Sequence, residues 1–116
     1  FFFFFPLEQA SVAKACGWNV PDQHRGMVGF GSYRETLDAL EQAVSAGDYL
    51  AGDRFSAADL YIGSHLNWGF YAGTIEKRPA FERYWERLER RPAHIRAVEI
   101  DNALVPLHPV PGMAQG

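Results

Sequence analysis

An all-α fold is predicted by three observations. Apolar residues recur at helical spacing, as Tyr33, Leu37, Leu40 and Val44 do at i, i+4, i+7 and i+11. Helix-start and helix-stop residues bracket each such stretch. No run alternates polar and apolar residues as a half-buried strand would, and no Asn-Gly pair marks a hairpin turn. With 116 residues, 47% of them hydrophobic, the chain can bury one core and forms at most one domain. The expectation is a bundle of about five helices over residues 1–100, followed by an extended tail over 101–116.

The elements follow in order. "LEQASVAKAC", residues 7–16, has helix-favouring composition and is closed by Gly17, a C-terminal cap. Pro6 fits the first turn of that helix, or kinks a longer one running back through the five phenylalanines. "GWNVPDQHRG" carries loop chemistry in Gly17, Asn19, Pro21 and Asp22. The second helix ends near Gly47, and two starts are open to it. Ser32 with Glu35 makes a capping box, whereas a start near Pro21 would run the helix through Gly26, Gly29 and Gly31.

Ser56 announces the third helix in "FSAADLYIGSHLNWG". A hydroxyl at Ser56 and a carboxylate at Asp59 stand at the spacing of a capping box, with Phe55 and Leu60 placed to staple it. "RPAFERYWERLERRP" is a fourth helix, with Pro79 early, Phe81, Trp85 and Leu88 on one face, and Pro92 as its stop. "PAHIRAVEI" predicts a short fifth helix with Ile95 and Val98 turned inward. From Asp101 the chain holds three prolines and no periodicity, as an extended arm does.

Composition excludes several functions. Eleven basic against fourteen acidic residues give a formal charge of -3, with no basic stripe interleaved with aromatics, which disfavours a nucleic-acid partner. The five apolar residues before Pro6 fall far short of the roughly 20 that span a bilayer, and they lack the flanks of a secretory signal. The single Cys16 has no partner for a bridge, so a reducing, cytoplasmic setting is expected. Cys16 also sits at a helix C-terminus, where the dipole opposes a thiolate. His24, His65, His94 and His108 include no pair at i, i+4, so no metal site is expected. The serines form no G-x-S-x-G elbow. The Gly26, Gly29, Gly31 cluster follows a loop and lacks a P-loop lysine.

"YLAGDRFSAADLYIGSHLNWG", followed by "RPAFERYWERLERRPA", resembles the C-terminal helical domain of cytosolic glutathione S-transferases, bacterial ones in particular. The resemblance implies that Ser56 and Asp59 are the N-capping box of the domain's central helix, a structural role. It also implies that "FFFFFPLEQA" is the first helix of that domain, entered partway along. The family's thioredoxin-like domain, with the residue that activates the glutathione thiol, has no counterpart in these residues. What the resemblance then implies is a domain forming the hydrophobic wall for an electrophile, with glutathione as co-substrate of the parent family, no cofactor in this chain, a homodimer and a role in detoxification. The chain by itself is expected to be inactive. The rival expectation is a non-catalytic interaction module of the same fold. Candidate pocket residues are Phe1, Phe4, Phe5, Trp68 and Tyr71; burial of the phenylalanines, Trp68 and Tyr71 within the bundle is the alternative for each.

Overall fold

The computed structural model describes residues 4–105, and five α-helices account for most of them. They are α1 (Phe4–Ala15), α2 (Tyr33–Ser45), α3 (Ala57–Ala72), α4 (Pro79–Glu89) and α5 (Pro92–Leu104). Among the described residues the extended contribution is limited to an isolated bridge between Tyr49 and Gly52, so the fold is all-α. The chain divides into two compact units, residues 1–85 and 86–116.

In the first unit α1 packs on both α2 and α3. Leu7, Ala10 and Ala13 of α1 point into the core with Leu37, Leu40 and Val44 of α2 and Ile62 and Leu66 of α3. Phe81 and Tyr84, from the first turns of α4, are also fully buried. Pro6 lies inside α1, within its first turn, where a missing N–H leaves no intrahelical bond unmade.

The two open starts of α2 resolve at Ser32. Its Oγ accepts from the Glu35 amide at 3.2 Å and its hydroxyl donates to Glu35 Oε2 at 3.2 Å. Upstream, Asp22–Met27 winds into a separate 3-10 helix instead of extending α2. Thr36, a buried hydroxyl, donates to the carbonyls of Phe30 and Ser32, both at 2.9 Å, which ties the incoming loop to the helix.

The C-terminus of α3 is closed by Gly73, whose φ of 69° lies in the left-handed region that a side chain disfavours. One turn earlier Gly69 is buried because Ile75 folds back over it. A methyl group there would sit 2.5 Å from Ile75 Cγ1 and 2.8 Å from its Cβ. Arg78 then pins the entry to α4. Its guanidinium donates to Asp38 Oδ1 at 2.7 Å and Glu41 Oε2 at 2.8 Å on α2, and to Glu76 Oε1 at 2.5 Å. Burial alone would lower the Arg78 pKa, but these three carboxylates outweigh it and raise the pKa above the ordinary value.

In the second unit the described residues are the end of α4 and α5. Ile95 and Val98 were expected to face inward, yet they are 46% and 41% exposed, and no residue of α5 is buried. The unit's described part offers a 13-residue helix too few apolar neighbours to cover a face. The helix also continues to Leu104, four residues into the stretch expected to be extended, with Asp101 accepting from the Val105 amide at 3.3 Å. Residues 106–116, the rest of the expected tail, lie outside the described residues.

Candidate functional site

Asp59 is fully buried at the start of α3, and its carboxylate is saturated with donors. The Ser56 amide donates to Oδ2 at 2.9 Å and the Ser56 hydroxyl to the same oxygen at 3.3 Å. Oδ1 accepts from the Leu50 amide at 2.9 Å and from the Tyr84 hydroxyl at 2.7 Å. Ser56 and Asp59 thus form a capping box, and its carboxylate half does more than cap. It fastens the turn around Tyr49–Gly52, the start of α3 and α4 to one another. An acid or base catalyst needs an oxygen open to substrate; both oxygens here are occupied and buried. Leu60, expected to staple the box, is left exposed, and Phe55 meets the Tyr49 ring edge-on at 6.2 Å.

The opposite face of α3 has a different chemistry. Leu60, Tyr61, Trp68 and Tyr71 lie within about 100° of arc on one side of the helix, and all four are exposed. Trp68 and Tyr71 stack at 5.5 Å between ring centroids with 23° between planes. They are 61% and 77% exposed, so neither belongs to the core. Phe5, at 58% exposure, shares the outer side of α1 with Val12. Phe1 and the side chain of Phe4 lie outside the described residues. Of the five pocket candidates, the structure brings Trp68 and Tyr71 together and places Phe5 on a separate helix.

A groove of about 760 Å³ opens between the C-terminal half of α1, the 18–31 segment and the first turns of α2. The residues that build it were not singled out from sequence. Lys14 and Tyr33, nineteen positions apart, meet only once α1 packs on α2; the sequence signal available was the aromatic pair Phe30 and Tyr33 flanking a helix start. Beside the groove, Arg25 pairs with Glu35. The hydrogen bond from Arg25 holds the Glu35 carboxyl below its ordinary range, with the charge of Arg25 and the Ser32 hydroxyl adding to the effect. Glycines 26, 29 and 31 line a smaller polar recess with Asp22, Arg25 and Glu35. Arg25 is already neutralised there.

Cys16 is an exposed free thiol just past the end of α1. Among the described residues no group of three or more His, Cys, Asp or Glu side chains could hold a metal ion. No helix of the described residues is long and apolar enough to cross a membrane.

A helical bundle whose central helix opens on a buried Ser-x-x-Asp box, followed by an Arg-Pro-Ala-Phe helix, defines a recognisable class of domain. The family model for the glutathione S-transferase C-terminal domain matches residues 21–92, and the chain belongs to that family. It is also similar to glutathione S-transferase F13 of Arabidopsis thaliana, with 36% identity over 66 residues, covering 52% of this chain and 29% of that protein. The matched stretch is therefore less than a third of that relative's length. No solved structure gives a significant match.

Proposed function

We propose that this domain serves glutathione conjugation by presenting an apolar wall to a hydrophobic electrophile, with glutathione as the co-substrate of the whole protein. The observation that carries this reading is the stacked, exposed pair Trp68–Tyr71 on α3. Large flat side chains left open on a helix face are what an aryl electrophile packs against. Phe5 joins them as a candidate on α1, and Phe1 and Phe4 remain candidates by position in the sequence. The domain binds the electrophile without activating the thiol. Its catalytic partner would be a thioredoxin-like domain, and the working protein would be a homodimer.

The test is equilibrium binding of 1,3-dinitrobenzene, an unreactive analogue of an aryl electrophile, followed through the backbone amide resonances of α3. Saturable shifts that weaken in Trp68→Ala and Tyr71→Ala support the reading. Shifts that are absent, or that persist unchanged in both variants, reject it and favour a non-catalytic interaction module of the same fold.

A further inference from the structure

We infer that the groove between α1 and the start of α2 is a binding site for a flat aromatic carboxylate, held by the Lys14 ammonium and the Tyr33 hydroxyl. This site is separate from the α3 aromatics and does not rest on the conjugation reading.

Size comes first: about 760 Å³ lies in the range of small-molecule sites, roughly 300–1,000 Å³. Ala13, Trp18, Val20 and Phe30 supply an apolar lining with two aromatic rings, which suits a planar hydrocarbon body.

Charge comes second. The carboxylates bordering the groove already have cations: Glu35 and Asp22 have Arg25, and Asp38 has Arg78. Lys14 is the exception among the bordering cations. Its ammonium donates to Tyr33 Oη at 3.0 Å and stands 4.3 Å from the Tyr33 ring centroid, with no carboxylate partner among the described residues. A positive charge remains to be matched at the groove's edge.

Hydrogen bonding comes third. Tyr33 Oη accepts twice, from Lys14 Nζ at 3.0 Å and from the Glu76 amide at 3.0 Å. Both lone pairs are then used, and the phenolic proton has no acceptor among the described residues. A phenol carries one donor and must aim it somewhere. A carboxylate entering the groove satisfies both groups together: one oxygen accepts the Tyr33 proton, while the anion pairs with Lys14 through a charge-assisted bond. A neutral ligand can accept from these groups but leaves the Lys14 charge unmatched and forgoes the charge-assisted bond.

The experiment titrates the full chain with sodium 2-naphthoate while following the Trp18 indole N–H resonance, with neutral 2-naphthamide as the matched control. Saturable Trp18 shifts are expected with naphthoate, weakened about tenfold or more by Lys14→Met, since a hydrogen bond to a charged group is at stake. Tyr33→Phe should weaken binding as well, and Trp68→Ala should leave it unchanged. Because Tyr33→Phe also strips an acceptor from the Glu76 amide, the exposed Lys14 carries the decision. Naphthamide binding as tightly as naphthoate, Lys14→Met binding as wild type does, or no saturable Trp18 shift at millimolar naphthoate would each overturn the proposal. Loss of dinitrobenzene binding with naphthoate binding intact would reject the conjugation reading alone.

Discussion

At Asp59 a single carboxylate accepts from Leu50, Ser56 and Tyr84 without any exposure to solvent. Replacing it strands several donors at once. Asp59→Ala is expected to destabilise the domain by about 3–5 kcal/mol, because the donors of Leu50, Ser56 and Tyr84 lose their acceptor together and each one left buried and unsatisfied costs roughly 1–3 kcal/mol. Tyr84→Phe removes one donor and leaves the rest of the network, so about 1–2 kcal/mol is expected. Urea unfolding of both variants checks the order, and an Asp59→Ala protein as stable as wild type would remove Asp59 from its structural role. The Ser56–Asp59 half of this network was legible in the sequence because a capping box is a local pattern whose two ends stand three positions apart. The Leu50 and Tyr84 bonds join residues 9 and 25 positions away from Asp59, and no spacing rule reaches that far. Gly69 was equally silent, since its need for hydrogen in place of a side chain arises from Ile75 folding over it. Gly69→Ala should cost about 1–3 kcal/mol by overpacking, read as a lower urea midpoint with unchanged slope. An unchanged midpoint would show that Ile75 moves aside freely.

Among the elements, α2 shows how a helix start depends on charge. Glu35 bonds the Ser32 hydroxyl and pairs with Arg25, and its pKa lies below the ordinary carboxylate value chiefly because of the Arg25 hydrogen bond. A lowered folded-state pKa means that the contribution is present above the unfolded value and is lost as pH falls through the folded one. Arg25→Gln should return the Glu35 titration toward its ordinary range. Carboxyl-detected NMR of wild type and variant measures that directly; identical midpoints would mean that Arg25 does not hold Glu35 in solution. The start of α2 was left open between two positions by sequence because three glycines tolerate helix at modest cost. The Ser32 box, with Thr36 binding the Phe30 carbonyl, decides it. For α5 the sequence pattern misled, because an apolar stripe states what a helix could bury and says nothing of whether a neighbour is there to cover it. On α3 the sequence left pocket and core both open for Trp68 and Tyr71, because tryptophan and tyrosine suit both a core and an open surface; the structure leaves both exposed.

For the whole molecule, membership of the glutathione S-transferase C-terminal domain family follows from the ordered motifs and the all-helical bundle. Exposed apolar side chains on α1, on α3 and at Trp18 and Met27 give the chain reason to associate. Sedimentation in the micromolar range is expected to show a dimer, and a purely monomeric profile would contradict that. The division of labour proposed for this domain, binding an electrophile without activating a thiol, is tested most directly by measuring glutathione conjugation to a chromogenic aryl halide as a function of chain concentration. The predicted result is a rate that stays at the uncatalysed value at every concentration. A rate that rises in proportion to the chain would contradict it and place a thiol-activating group within these 116 residues.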